Sequence, residues 1–213
     1  CAPAIHADRF ASVEARWSER GEHGLSPTGS PAAVHLAHVS ITMGEMEEIH
    51  VAQVHCNFYS YTLKYPLVIE VILPSFTSCN LDQKHTHVLP AKFPVLYLLH
   101  GYGNDYQVWH RYTSIARYAE ECRIAVVTFS CHNKAYLNAP LGENFYDFLN
   151  EELPEFVEQY FPISTKPEER YIAGLSMGGY GALLHGLKNP QRYSAIGAFS
   201  PGIPDGKEDR PDR

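Results

Sequence analysis

The sequence predicts an α/β fold, in which a mostly parallel β-sheet is covered by helices on both faces. Two observations support this fold class. Continuous apolar runs, typical of strands that are buried on both faces, occur at residues 94–101 and 123–130. Segments whose apolar residues have helical spacing separate such runs, and strands that alternate with helices in this way form parallel sheets.

The first 38 residues differ in composition from the rest of the chain. They are rich in Ala, Ser, Gly, Pro, Arg and Glu. We interpret residues 1–38 as a flexible tail or linker and residues 39–213 as the folded domain.

Two strands are predicted first, at residues 51–63 and 65–74, because aromatic and β-branched side chains are concentrated there. They could form an antiparallel edge of the sheet. A polar loop at residues 75–93 then leads to the buried strand at 94–101. His85 and His87 lie in this loop without further ligand residues beside them, so we predict no metal site.

Helical spacing continues at residues 105–122, before the buried strand at 123–130. The longest helical pattern spans residues 142–161 and contains Pro154. A proline inside a helix removes a backbone hydrogen bond, so we expect a kink or a split there. The remaining predicted elements are a strand at 170–175, a helix at 177–190 and a strand at 193–199.

A serine stands between two glycines where a predicted strand meets the next helix. The segment Gly174-Leu175-Ser176-Met177-Gly178 fits the G-x-S-x-G pattern of a nucleophile elbow. Such an elbow is a sharp, strained turn that requires small residues two positions before and after the serine. The alternative is a Gly-rich helix start with an incidental serine, but the strand–turn–helix context favours the elbow. We therefore predict Ser176 as a nucleophile and the backbone N–H of Met177 as an oxyanion donor.

A second glycine motif, His100-Gly101-Tyr102-Gly103, follows the buried strand that precedes the elbow. A second oxyanion donor comes from a loop at this place. We assign that donor to the backbone N–H of Tyr102, with Gly103 as the alternative. His100 precedes the serine and stands at a strand end, so we interpret it as structural. The segment is not a G-x-G-x-x-G dinucleotide loop, because Tyr106 occupies the position of the third glycine.

Trp109 follows this loop closely in the sequence. Its ring could line a pocket for the substrate, or it could begin a helix and pack on the sheet. The second interpretation is slightly favoured.

Charge and composition argue against several classes of partner. The formal net charge is -7 and there is no run rich in Lys and Arg, so nucleic acid is not expected as a partner. No apolar stretch approaches the roughly 20 residues needed to span a bilayer, so no membrane partner is expected. Five cysteines, an odd number without a CxxC pair, favour a reduced, cytoplasmic protein.

Three segments together resemble the putative esterase family of α/β-hydrolases. They are "PVLYLLHGYGND", "YDFLNEELPEFVEQYFP" and "RYIAGLSMGGYGALLHGLKNPQRYSAIGAFSPGI". Within this family the chain is most similar to the tributyrin esterase type, and more distantly to esterase D (S-formylglutathione hydrolase) and the mycolyltransferases. The resemblance covers about residues 51–204. It implies a serine carboxylesterase that hydrolyses short-chain acyl esters through an acyl-enzyme on Ser176, with Met177 and Tyr102 as backbone oxyanion donors and without a cofactor.

The catalytic base departs from the family pattern. The triad of this fold follows the chain order Ser, then Asp or Glu, then His, yet of the 12 histidines only His185 follows Ser176. It lies nine residues on, in a helix that runs away from the serine, so we interpret it as a helix-surface or packing residue. We therefore expect a C-terminally truncated hydrolase domain without its last strands and without the triad Asp and His. The alternatives are an acyltransferase with the same machinery and a truncated, non-catalytic hydrolase-like protein.

Overall fold

The computed structural model describes residues 51–74, 91–140 and 142–203. All of them belong to one of the two compact units into which the chain divides, Glu45–Arg213. The predicted boundary after residue 38 lies outside the described residues, as do His85 and His87.

Within the described ranges, six strands form one sheet. They are β1 (Val51–Tyr59), β2 (Pro66–Pro74), β3 (Val95–Leu99), β4 (Ala125–Phe129), β5 (Arg170–Leu175) and β6 (Ala195–Phe199). The strand order is β1-β2-β4-β3-β5-β6. Strands β4, β3, β5 and β6 run parallel, whereas β2 is antiparallel to both of its neighbours. The sheet is therefore mostly parallel with an antiparallel edge, as the sequence suggested.

Helices cover both faces of this sheet. They are α1 (Val108–Tyr112), α2 (Ile115–Cys122), α3 (Phe145–Asp147), α4 (Leu153–Tyr160) and α5 (Met177–Lys188). Because side chains alternate along a strand, β3 sends Val95, Tyr97 and Leu99 into a large apolar cluster that also contains residues of α3, α4 and α5. On the opposite face, Leu98 of β3 packs in a smaller cluster with residues of α2. The predicted two-sided coverage is confirmed.

The helical pattern at residues 105–122 forms two helices instead of one. Thr113 separates them with an extended backbone (φ -140°, ψ 168°). Its side-chain hydroxyl donates to the carbonyl oxygen of Trp109. The Thr113 N–H donates to the same carbonyl (3.1 Å), which completes the last turn of α1, and the extended backbone of Thr113 then ends the helix at Tyr112.

The expected interruption at Pro154 is present as a widened, π-helical turn. This turn, Phe148–Glu152, connects α3 to α4, and the N–H of Leu153 reaches back to the carbonyl of Phe148. Pro154 has no N–H for the carbonyl of Asn150, and the guanidinium of Arg192 donates to that oxygen instead. The loop after α5 is thereby fixed to the π-helical turn.

A buried carboxylate fixes the β1–β2 turn to the same helical segment. Glu152 is 2% exposed and accepts hydrogen bonds from the Ser60 hydroxyl (2.6 Å), the Tyr61 N–H (2.8 Å) and the Thr62 N–H (2.9 Å). Charge-assisted hydrogen bonds of this kind are the stronger ones in proteins. Glu152 thus attaches the antiparallel edge of the sheet to the helix that covers it.

We expect Glu152→Ala to lower the free energy of unfolding by about 3 kcal/mol or more, because it leaves a buried hydroxyl and two backbone N–H groups without their acceptor. The exposed neighbour Glu151 offers a matched control, and Glu151→Ala should change stability by at most about 0.5 kcal/mol. Urea unfolding of the three proteins measures the difference. Equal losses in the two variants would contradict the role given to Glu152.

Candidate active site

Ser176 occupies the junction between β5 and α5 with a strained backbone. Its φ is +57° and its ψ is -113°, a conformation that residues other than glycine rarely adopt. Its N–H donates to the Phe199 carbonyl (2.9 Å), and its carbonyl accepts the N–H groups of Tyr180 (2.9 Å) and Gly202 (3.0 Å). Contacts from β6, from α5 and from the segment after β6 therefore hold the turn.

The two glycines of the pentapeptide are required by close backbone packing. A Cβ on Gly174 would lie 2.4 Å from the carbonyl carbon and oxygen of Gly178. A Cβ on Gly178 would lie 2.4 Å from the carbonyl oxygen of Leu99 and 2.7 Å from that of His100. The start of α5 thus packs directly on the ends of β3 and β5, which a larger side chain would prevent.

The backbone N–H of Met177 is free to bind a ligand. Met177 is the first residue of α5, where N–H groups have no partner within the helix. None of the described residues accepts a hydrogen bond from it. The start of α5 also carries the partial positive charge of the helix dipole, which favours a negatively charged group beside Ser176.

The loop after β3 lies against Ser176, and its hydrogen bonds distinguish the two alternative donors. A Cβ built on Gly101 would be 3.7 Å from the Cβ of Ser176. The N–H of Gly103 already donates to Oδ1 of Asn133 (2.7 Å). For the N–H of Tyr102, no acceptor occurs in the described part of the chain. Of the two predicted candidates, Tyr102 is the one whose N–H is available.

His100 braces this loop, in agreement with its structural interpretation. It is buried, and its Nε2 accepts the N–H of Cys131 (3.0 Å), so Nδ1 carries the proton and donates to the Gly101 carbonyl (2.8 Å). The Tyr136 hydroxyl donates to the His100 carbonyl (2.9 Å). Burial lowers the pKa of His100, which keeps the ring neutral and both nitrogens engaged.

The supporting loop after β4 was not found by sequence reasoning. Four of its residues have positive φ angles: His132 (46°), Asn133 (61°), Ala135 (51°) and Tyr136 (60°). Among non-glycine residues, Asn and His are enriched in this conformation, whereas Ala and Tyr are not, and the segment contains no glycine. Its unusual backbone brings Asn133 to Gly103 and Tyr136 to His100, so it shapes the loop beside Ser176.

His185 is a packing residue, and its surface alternative was wrong. The ring is fully buried and stacks on Tyr146 with a centroid distance of 4.6 Å. Nδ1 accepts a hydrogen bond from the Asn150 amide (2.8 Å), and the Nε2 proton is donated to the Tyr136 carbonyl (2.9 Å). Burial lowers the pKa of His185 to about 4. Neither nitrogen can take a proton from Ser176.

No base is brought to Ser176 within residues 51–74, 91–140 and 142–203. None of the histidines in these ranges is hydrogen-bonded to the serine. In the same ranges, no cluster of three or more His, Cys, Asp or Glu side chains could hold a metal ion, and no helix is long and apolar enough to cross a membrane.

The Trp109 side chain packs on the sheet, which is the favoured one of its two interpretations. Its indole N–H donates to the Leu99 carbonyl (3.2 Å). The ring packs against the smaller apolar cluster and lies 6.4 Å, between ring centroids, from Phe199. Trp109 therefore helps to fix the ends of β3 and β6 beside the elbow.

Comparisons with known proteins agree with this geometry. A family model described as "Putative esterase" matches residues 83–205. An acetyl esterase of Caldicellulosiruptor saccharolyticus is 38% identical over 148 residues, which are 69% of this chain and 55% of that protein. A fluorophosphonate-binding serine hydrolase of Staphylococcus aureus, solved with substrate bound, is 34% identical with a TM-score of 0.62, and the match covers 71% of this chain and 57% of that one.

A second structure from Staphylococcus aureus, an S-formylglutathione hydrolase without ligand, is also 34% identical. Its TM-score is 0.61, and the match covers 71% of this chain and 58% of the hydrolase. The chain therefore spans little more than half the length of these relatives.

Gly178→Ala should destabilise the protein by about 3 kcal/mol or more, because the added methyl group meets two backbone carbonyls that cannot move independently. Gly202→Ala is the matched control, since its Cβ would have no neighbour closer than 3.7 Å, and we expect a change below about 1 kcal/mol. Thermal or urea unfolding compares the two. The packing of α5 on β3 described above would be wrong if Gly178→Ala were as stable as Gly202→Ala.

The stability of the protein should fall on acidification because of His185. The unfolded chain protonates this ring near its ordinary pKa of 6.5, whereas the folded chain does so only near pH 4. The unfolded state therefore binds more protons between these two values, and acid favours it. From about pH 7 to about pH 5, His185 should account for a loss of about 2 kcal/mol.

This loss is measured as the difference in pH dependence between the natural chain and His185→Gln, by urea unfolding at each pH. The variant starts from a lower stability but should lose less of it on acidification. Parallel curves for the two proteins would contradict the assignment.

Proposed function

This chain belongs to the putative esterase family and has the α/β-hydrolase fold, and we propose that it carries the nucleophile of a serine carboxylesterase. In this proposal, Ser176 attacks short-chain acyl esters and forms an acyl-enzyme. The observation that carries the proposal is the backbone of Ser176 (φ +57°, ψ -113°), which lies outside the left-handed region that single loop residues adopt and is held at a strand–helix junction by the close packing of Gly174 and Gly178. The sharp turn places the half-buried Ser176 at the start of a helix, as in a nucleophile elbow.

The reaction follows from the groups around this serine. Ser176 Oγ adds to the ester carbonyl, and the oxyanion that forms accepts hydrogen bonds from the N–H groups of Met177 and Tyr102. Each such donor contributes about 3 kcal/mol to the transition state. The ester C–O bond then breaks, and the alcohol leaves with the proton that Ser176 gave up. Water hydrolyses the acyl-enzyme, which releases the acid and restores the serine hydroxyl, so no cofactor takes part. The proton of the serine must pass to a base other than His100 and His185, whose ring nitrogens are engaged.

The names of related proteins support the proposal that the acyl group of the substrate is short. Two of the three relatives named above are an acetyl esterase and an S-formylglutathione hydrolase, and acetyl and formyl are among the smallest acyl groups. An acyltransferase would use the same serine and the same two N–H donors, with an alcohol in place of water. Product analysis with an added alcohol distinguishes these two activities.

A non-catalytic, hydrolase-like protein is the second candidate, and one specific observation favours it. No histidine among the described residues is hydrogen-bonded to Ser176, and a serine without a base is a weak nucleophile. The strained backbone of Ser176 (φ +57°, ψ -113°) is not explained by this candidate, which is why we place it second.

Labelling by a fluorophosphonate, read by intact mass, tests the proposal. We expect one adduct on the natural chain, and its loss in Ser176→Ala. The exposed Ser114 provides a matched control, and Ser114→Ala should label like the natural chain. Without a base the rate rests on the oxyanion donors alone, roughly 10³–10⁴-fold over water.

An adduct that persists in Ser176→Ala would refute Ser176 as the nucleophile. A chain that is folded and does not react at all would favour the non-catalytic candidate.

A further inference from the structure

A surface cleft of about 380 Å³ lies between the end of β1, the β1–β2 turn and α4. We call it the aromatic cleft, and its lining residues are Phe58, Tyr59, Tyr61, Glu152, Glu155, Phe156, Gln159 and Tyr160. Strands β2, β4 and β3 separate β1 from β5 in the sheet. The aromatic cleft is therefore at the β1 edge of the sheet, and three strands lie between it and β5, the strand that leads to Ser176.

Aromatic rings in this cleft are stacked and open to solvent. The Phe58 and Phe156 rings stack with a centroid distance of 3.9 Å, and Tyr160 stacks on Phe156 at 4.6 Å. Tyr160 ends the stack and is 74% exposed, and Tyr59 and Tyr61 are also exposed. Three exposed tyrosines that line one cleft form a surface suited to binding a ligand.

The charge of the cleft is negative. Its two charged lining residues are Glu152 and Glu155, and none of the eight lining residues is basic. The Tyr61 hydroxyl donates to Oε2 of Glu155 (2.7 Å). This hydrogen bond, followed by burial and by the charges of Glu155, Glu152 and Glu151, raises the pKa of Tyr61 to about 12. An anionic ligand is disfavoured here.

The two carboxylates have different roles. Both oxygens of Glu152 already accept hydrogen bonds from the β1–β2 turn, so it contributes a fixed negative charge. Glu155 accepts only the Tyr61 hydroxyl through Oε2, and its Oε1 has no hydrogen-bond donor among the described residues. Glu155 is therefore the carboxylate that can serve as a counter-ion to a ligand.

We propose that the aromatic cleft binds an organic ammonium cation whose alkyl groups contact the tyrosine rings and whose charge is balanced by Glu155. Faces of aromatic rings attract cations, and alkylated ammonium groups are the ligands that aromatic cages recognise. The alkyl groups also remove apolar ring surface from water. A neutral apolar ligand could contact the same rings, but it would gain nothing from the carboxylates. A sugar could donate a hydroxyl to Glu155, but it would leave the negative charge of the cleft unbalanced.

Choline and its neutral isostere 3,3-dimethylbutan-1-ol distinguish these ligands, because they have the same shape and differ in charge. Each is titrated at millimolar concentrations into the isotopically labelled chain, and binding is followed by the amide NMR signals of residues that line the cleft. We expect saturable shifts with choline and at least about tenfold weaker binding of the isostere.

Variants locate the site. Tyr160→Ala and Glu155→Gln should each weaken choline binding by about three- to tenfold, because one removes the outermost ring and the other the counter-ion. Both side chains are on the surface side of α4, and unchanged spectra away from the cleft verify that each variant is folded. Tyr118→Ala removes a tyrosine on α2 that is 55% exposed and should bind choline like the natural chain.

Three results would overturn the proposal: equal binding of the neutral isostere, no saturable shift with choline, or an equal loss in Tyr118→Ala. Fluorophosphonate labelling of Ser176 is read separately, so the outcome at the aromatic cleft is independent of the proposed esterase function.

Discussion

The contact between α5 and the carbonyl end of β3 is the constraint on which the site depends. Gly178 lies where any Cβ would be 2.4 Å from the Leu99 carbonyl oxygen, so the helix must begin within contact distance of the strand. With α5 held there, the chain has room for only a sharp turn after β5, and Ser176 takes a positive φ. The hydrogen bonds of Ser176 to Phe199 and Gly202 then extend the constraint to β6 and the segment after it.

Two buried, neutral histidines act as braces around this contact. His100 fixes the loop beside Ser176 by accepting from Cys131 and donating to Gly101. His185 joins α5 to the Asn150 amide and to the Tyr136 carbonyl. Because His100 bonds the Cys131 N–H and His185 bonds the Tyr136 carbonyl, the two imidazole side chains help to position the backbone of the loop after β4. Burial lowers the pKa of both rings, and the neutral form is the one that can donate from one nitrogen and accept at the other.

The antiparallel edge of the sheet is organised around a different group. Glu152 holds the β1–β2 turn through three hydrogen bonds, and it stands at the end of the π-helical turn that precedes Pro154. That attachment places the exposed tyrosines of β1 and its turn beside Tyr160 of α4. One sheet thus carries the strained serine toward one edge and the aromatic cleft at the other, with the parallel core strands between them.

The sequence by itself determined the order of the strands and helical segments along the chain, the strand–turn–helix at Ser176 and the need for glycine at 174 and 178, because periodicity and backbone sterics are local properties. Tertiary structure decided what depends on residues far apart in the chain. Asn133 engages the N–H of Gly103 and so leaves that of Tyr102 as the available donor, which local sequence could not distinguish. The burial of His185 depends on Asn150 and Tyr136. The aromatic cleft likewise forms only when residues 58–61 meet residues 152–160, since a cleft is a property of surfaces that folding brings together.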